Sequence, residues 1–339
     1  MAAPTNRFES VSSERDEDYD DREEPLPRTE FIPDDSQSII ATNDSPDLGF
    51  RASLNPYRGC EHGCVYCYAR PTHEYLGFSQ GLDFETKIMV KHRAPELLRK
   101  ELSARKWEPQ TIAMSGVTDP YQPIERKLRL TRRCLEVLAE FRNPVGIVTK
   151  NSLVTRDLDL LAELARHKAV VVFISLTTLD AKLRAVMEPR TSPPAARLRA
   201  MEKLAAAGIP VGVMTAPVIP AINDHELPKL LAMASEAGAR HAGYVVLRLP
   251  YANKALFEAW LEEHFPQRKE KVLNQLRSLR DGELNDSQFG RRMSGQGPFA
   301  GRIARLFEVS CRKSGLNQES LALSTAAFKR VALNQPELF

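Results

Sequence analysis

An α/β fold built on a parallel sheet is what this sequence predicts, and three observations carry that expectation. Short apolar runs rich in β-branched residues recur six times between residues 50 and 247. Helix-like text separates them, and polar residues collect just after the runs, as in 115–119, 149–151 and 175–178. Six strands alternating with helices over ~200 residues pair in parallel through right-handed crossovers. Periodicity does not separate an open doubly wound sheet from a barrel, since both build their sites in the loops after the strands.

Residues 1–48 are charged and poor in apolar side chains, with prolines at 25, 27, 33 and 46, and are expected to form a disordered acidic tail. The strands follow at 50–54, 111–115, 145–149, 169–175, 210–216 and 242–247. Amphipathic helices are expected at 94–105, 131–141, 155–167, 195–207 and 226–237, the last two stopped by Gly208 and Gly238. After Pro250 the β-runs cease. Helices at 254–264, 268–280, 299–313 and 319–333, broken by the glycine-rich FGRRMSGQGP at 289–298, make 251–339 a helical appendage to the 49–250 domain.

Composition bounds the function. With 42% hydrophobic residues the chain can bury a sizeable core. Neither an apolar run of bilayer length nor a secretory leader is read in it, so the expected setting is the cytoplasm, with no membrane partner. The net charge of +3 hides an asymmetry: residues 1–50 hold fourteen acids against four arginines, which leaves the rest strongly basic. A basic body suits an anionic partner such as nucleic acid and equally suits a solvated surface. Five cysteines, three of them within eight residues, fit reduced thiols in a reducing compartment better than a disulfide framework.

Those three are Cys60, Cys64 and Cys67, spaced C-x3-C-x2-C in NPYRGCEHGCVYCYAR just after the first strand. Thiolates are soft ligands for zinc or iron–sulfur centres. A structural zinc needs a fourth ligand, for which only His62 and His73 are near. An iron–sulfur cubane on three thiolates leaves one iron open for chemistry. Gly59 and Gly63 are expected to let the backbone approach such a cluster.

The spacing, with aromatic Tyr66 before the third cysteine, is the motif by which the chain resembles the radical S-adenosylmethionine (SAM) enzymes. The resemblance implies a partial (β/α)6 TIM-like barrel, a [4Fe–4S] cluster, SAM as cofactor, and an electron donor such as a flavodoxin or ferredoxin. Within that superfamily, SGVTDPYQPIE, VTKNSLVTRD, ISLTTLD, MEPRTSPPAARL and APVIPAIND resemble the relatives of spore photoproduct lyase, and the tail at 285–307 resembles a bacterial subgroup of them. By matching motif positions, Lys150 is expected at the SAM carboxylate and Ser175 in a hydrogen bond to SAM. Ser115 and Asp119 are expected near its amino group and ribose, with Val218 and Ile219 as an apolar adenine platform and Tyr66 against the adenine. Turn capping and core packing explain the same residue types without a cofactor.

One departure limits the resemblance. The lyase uses a cysteine near the end of the second strand to return hydrogen to product, whereas IAMSGVTDP has none. Cys134 reads as a buried helix residue, and Cys311 is the remaining thiol that could reach the barrel mouth. Tyr121 and Tyr251 are candidate radical relays or packing residues. Arg291 and Arg292 among Gly290, Gly295 and Gly297 form a candidate anion-binding loop. Three function classes follow: radical chemistry on a nucleic acid or nucleotide, radical modification of a peptide, and a non-catalytic metal-binding module.

Overall fold

A computed structural model describes residues 28–331. Its strands are β1 (Glu30–Pro33), β2 (Ile40–Thr42), β3 (Ala52–Leu54), β4 (Tyr57–Arg58), β5 (Lys87–Val90), β6 (Ile112–Met114), β7 (Val145–Thr149), β8 (Val170–Ser175), β9 (Val211–Val218) and β10 (His241–Val246). Seven form one sheet in the order β10-β9-β8-β7-β6-β3-β2. All neighbours from β3 to β10 are parallel, and β2 lies antiparallel on β3. The six parallel strands are the six read from the sequence. Their order runs monotonically with the chain, so the sheet lacks the reversal that defines a doubly wound fold and is instead the partial barrel. β8 and β9 are buried on nearly every residue, β3, β6 and β7 alternate buried and half-buried positions, and β10 is half-buried until Val246.

A core between sheet and outer helices holds Leu54, Met114, Ile147, Val172 and Val213 against Leu135, Leu138, Leu161, Leu204 and Leu231. A second apolar group at the carboxyl ends of the strands joins Cys64, Val65 and Tyr66 to Met187, Ile219, Leu247, Phe257, Trp260 and Leu273.

Two sequence expectations are corrected. Of the acidic tail, residues 1–27 lie outside the described residues, but 28–48 carry β1 and β2. β1 pairs in parallel with β5 in a small sheet completed by β4. Ile39 is buried in the main core, and the backbone N–H groups of Ile39 and Ile40 donate to Glu101 at 2.6 and 3.2 Å. The charged average of the segment masked two local apolar pairs, Phe31–Ile32 and Ile39–Ile40, that find open sheet edges. At the other end, 319–331 is not helical. This segment crosses the amino-terminal side of the barrel, where Ser324 N donates to Lys168 O (2.9 Å) and Lys329 N to Phe141 O (3.0 Å). Those bonds to other elements replace the intrahelical ones that periodicity suggested.

The helices Asn253–His264, Lys269–Ser278 and Gly297–Lys313 form as expected, and they pack onto the barrel. The first two share the apolar group at the mouth with the cysteine loop. The third packs beside the helix Leu227–Glu236, in the outer helical layer. Between the last two, residue 293 lies along the β10 edge, where Val246 N donates to Met293 O (2.8 Å). The β2–β3 loop reaches the same region: Asp47 accepts from Gly290 N (2.7 Å) and Arg292 Nε (2.5 Å). Among the described residues no helix is long and apolar enough to cross a membrane.

Candidate functional site

The cysteine loop follows β4, and its backbone is fastened from several sides. Thr118 Oγ1 and Gln122 Nε2 donate to Gly59 O (2.7 and 3.4 Å), Arg70 Nε and Nη2 to Cys64 O (3.2 and 3.0 Å), and Asn253 Nδ2 to Cys67 O (2.8 Å). Val65 N donates to Met187 O (3.2 Å). Arg70, itself buried, also pairs with Glu85. The loop is therefore set before any ligand arrives.

The glycines serve a different approach from the one expected. Gly59 and Gly63 sit at φ 80° and 64°. A Cβ at 59 would meet His73 Cε1 and Phe84 O at 2.9 Å, and at 63 it would meet Arg190 and Glu85. The close neighbours are protein groups behind the loop. Gly59→Ala is expected to cost about 1 kcal/mol or more, because a left-handed backbone and a fixed carbonyl both oppose the methyl. A lowered melting temperature with reduced iron loading would check this.

Cys60 and Cys64 are buried, Cys67 is partly buried, and none is in a disulfide. Burial lifts the Cys64 thiol well above its ordinary range, with Glu188 adding and Lys150 opposing; burial likewise raises Cys67, against the pull of Arg70. Cys60 faces His62. Each sulfur thus has a cationic partner: His62, Lys150 and Arg70. Burial still outweighs those cations at Cys64 and Cys67, so the fit to an iron–sulfur cluster rests on the donor set itself, three soft sulfurs outside any disulfide on one loop. Of the two candidate fourth ligands for zinc, His62 is held by Asp119, and His73 Nε2 lies 2.9 Å from Lys87 O with its Nδ1 buried without a partner. Among the described residues no three His, Cys, Asp or Glu side chains converge as on a single ion.

Beside Cys64 stands a polar wall. Tyr66, buried at 6% exposure, donates its hydroxyl to Glu188 Oε1. Thr177 Oγ1 donates to the same oxygen (2.6 Å), and Arg197 pairs with Oε2. Arg197 is 1% exposed and also donates to Ser175 O (2.9 Å) and Ser192 O (2.8 Å). Burial pushes the Glu188 carboxyl up, but Arg197, Lys150, Thr177 and Tyr66 overcome it and hold it down to about 2. Lys150 Nζ lies 5.8 Å from the Tyr66 ring centroid. The wall binds the end of β8 to the cysteine loop, and neither Glu188 nor Arg197 was singled out in the sequence, although both lie in a motif quoted there.

Asp119 lies deeper. Its Oδ1 accepts from Thr149 Oγ1 (2.7 Å) and Tyr121 N (2.8 Å), its Oδ2 accepts from Lys150 N (2.7 Å), and His62 Nδ1 is 3.3 Å away. Burial opposes its charge, yet His62, Thr149 and Lys150 N leave its pKa lowered. Burial would also lower His62, whereas Asp119 and Cys60 push it up to about 10. Asp119 therefore ties the β6 loop, the end of β7 and the cysteine loop together, with its oxygens engaged by the protein.

The remaining expected residues divide. Lys150, Tyr66 and Ile219 gather around Cys64; Ile219 is in the same apolar group, and its N–H is held by Asn223 Oδ1 (2.6 Å). Ser175 ends β8 against Arg197. Ser115, at φ 147°, donates Oγ to Thr118 O (3.2 Å), the turn-capping reading. Val218 faces away, into a group with Leu227, Leu279 and Ala300, because neighbouring strand residues point to opposite faces. Tyr121 is fully buried with its hydroxyl donating to Asp157 (3.1 Å), a packing residue, whereas Tyr251 is exposed. Cys134 is buried in the helix Leu130–Phe141. Cys311 is also buried, and Asn317, beside it, bonds Ala242 at the start of β10, the end of the barrel opposite the mouth. The glycine-rich loop does hold an anion, but that anion is Asp47, while Arg291 pairs with Asp286 at 3.0 Å. Phe289 is exposed under Arg292, and Phe307 packs inward against Tyr244.

The family model described as the radical SAM superfamily matches residues 54–234. An uncharacterised protein of Mycobacterium bovis is 40% identical over 222 residues, 65% of this chain and 65% of that relative, so the match spans just under two thirds of its length. An uncharacterised protein of Methanocaldococcus jannaschii is 33% identical over 106 residues, 31% of this chain and 38% of the other. Among solved structures, spore photoproduct lyase complexed with dinucleoside spore photoproduct superposes with a TM-score of 0.59, covering 84% of this chain and 80% of that one at 17% identity, a likeness of fold.

Proposed function

The chain belongs to the radical SAM superfamily, and from that premise we propose that it is an enzyme that carries a [4Fe–4S] cluster on Cys60, Cys64 and Cys67. When bound, the cluster supplies the electron that splits SAM into methionine and a 5′-deoxyadenosyl radical able to take hydrogen from a substrate. The observation that carries this reading is the set of three thiols, two buried and one partly buried and none in a disulfide, on a loop fixed by the barrel itself.

The chain's own residues then have definable tasks. Lys150, beside Tyr66 and Cys64, is placed to receive the SAM carboxylate as a point charge. Tyr66 and Ile219 offer an apolar wall to the adenine, and Ser175 a strand-end hydrogen bond. Asp119 and the Glu188–Arg197 pair act through Lys150, His62 and Tyr66, as positioning residues that hold the ligating loop in one arrangement. Ser115 shapes the turn after β6.

The favoured substrate is a nucleic acid or nucleotide. The fold likeness is to a lyase complexed with dinucleoside spore photoproduct, and exposed Tyr68 lies beside the Arg248 guanidinium, a pairing that suits base stacking beside a phosphate contact. The hydrogen-return step differs from the lyase, since the β6 end has no cysteine and Cys134 and Cys311 are buried elsewhere. A flavodoxin or ferredoxin suits as reductant, and reduced thiols suit the cytoplasm.

Anaerobically reconstituted protein given dithionite and SAM is expected to release 5′-deoxyadenosine. An intact cluster with no release would overturn the enzymatic reading. Retention of single-stranded oligonucleotides that weakens with salt supports the substrate class, and salt-insensitive or absent retention shifts it to a peptide.

A further inference from the structure

We infer that Arg248 is the anchor for an oxyanion, phosphate or carboxylate, that the substrate carries into the mouth of the barrel. The inference rests on the radical SAM reading only in taking that mouth as the reaction chamber.

Arg248 comes two residues after β10, on the rim that the cysteine loop shares. Its Nε is buried and has no hydrogen-bond partner. Its Nη1 has the Met293 thioether at 3.7 Å, a weak acceptor. Burial, together with Arg292, pushes its pKa below the ordinary guanidinium value. Neighbouring Arg280, 2% exposed, is better served: its Nη1 and Nη2 donate to Arg292 O (3.0 Å) and Leu247 O (2.8 Å), with only its Nε buried without a partner, and burial together with Arg248 pushes it down to about 10. The acids nearby are already engaged, Asp47 with Arg292 and Asp286 with Arg291.

A partly buried guanidinium whose Nε is enclosed without an acceptor is costly, and a fold has no stability reason to keep one. Such a group persists where its acceptor arrives with a ligand. The planar fork matches the paired oxygens of phosphate or carboxylate. Its position fits a substrate contact: its Cζ lies 5.6 Å from the ring centroid of Tyr68, the residue after Cys67, and that ring is 50% exposed. An oxyanion held there places the adjoining part of the molecule against the cluster rim.

The test uses reconstituted, SAM-bound protein without reductant, so no turnover is needed and failure leaves the 5′-deoxyadenosine assay untouched. Calorimetric titration with cytidine 5′-monophosphate and with glutarate is compared for wild type, Arg248→Met, Arg248→Lys and, as a remote charge control, Arg302→Gln. Wild type is expected to bind one of the two, which identifies the oxyanion. Arg248→Met should weaken that binding at least tenfold and Arg248→Lys less, with Arg302→Gln near wild type. The ligand-free Arg248→Met protein should melt at or above the wild-type temperature, because an unpartnered buried charge has gone. The proposal is overturned if wild type binds neither probe, if Arg248→Met binds as wild type does, if Arg302→Gln loses as much, or if Arg248→Met melts lower, which would mark Arg248 as a packing residue.

Discussion

Cys64→Ala is expected to give a folded, colourless protein that releases no 5′-deoxyadenosine above the enzyme-free background. Two thiolates cannot hold a cubane whose fourth iron must stay open, so the loss is total rather than graded. The fold should survive, because the loop is held by Arg70, Thr118, Gln122 and Asn253 through backbone carbonyls and not through sulfur. Cys134→Ala is the matched comparison: fully buried in the helix Leu130–Phe141, it should retain iron, sulfide and turnover and lose about 1 kcal/mol of stability. Iron and sulfide assays, circular dichroism and product analysis separate the two. A Cys64→Ala protein with full iron, sulfide and turnover would defeat the cluster assignment.

The second large effect lies at the buried pair. Arg197→Met should destabilise the protein by about 3–5 kcal/mol, because Glu188 is left charged and buried with its strongest partner removed. The sign with pH follows from Glu188, held at about 2 against an ordinary 4.5. A depressed carboxyl contributes stability that is present above the ordinary value and lost as pH falls toward the folded one. The gap between wild type and Arg197→Met in urea denaturation should therefore narrow between neutral pH and pH ~3. Adding Glu188→Gln to Arg197→Met should recover part of the loss, since it removes the stranded charge. A loss of under about 1 kcal/mol at neutral pH would show that the pair is not the tie between β8 and the cysteine loop.

Much of this was legible in the sequence for physical reasons. Strands such as β8 and β9, buried on nearly every residue, leave β-branched apolar runs that amphipathic helices do not imitate, and three thiols in eight residues have few other uses. What was hidden depends on distance along the chain or on register. The Asp47–Arg292 contact joins residues 245 apart, and no local pattern marks an acid in a polar loop as the occupant of a remote glycine-rich one. Glu188 just after one helix and Arg197 in the first turn of the next are ordinary charges until the fold encloses them. Val218 and Ile219 look interchangeable, yet one residue of register sends the first to the outer helices and the second to the mouth. The segment 319–331 has helical periodicity but finds its hydrogen bonds on other elements. The strands of residues 28–48 exist because edges elsewhere accept them.

The contact of Asp47 with the 290–292 loop has a mechanical meaning. A full barrel is a hoop closed all round by amide ladders and widens only by tearing them. Here the ladder stops at β10 on one side and β2 on the other, and across the gap Asp47 grips Arg292 and a backbone N–H while Ser45 Oγ accepts from the same arginine. The ring is split and held shut by a clasp of charge. Both side chains are largely buried, so added salt screens this clasp little, and it closes the ring as a part of the fold and not as a surface ion pair.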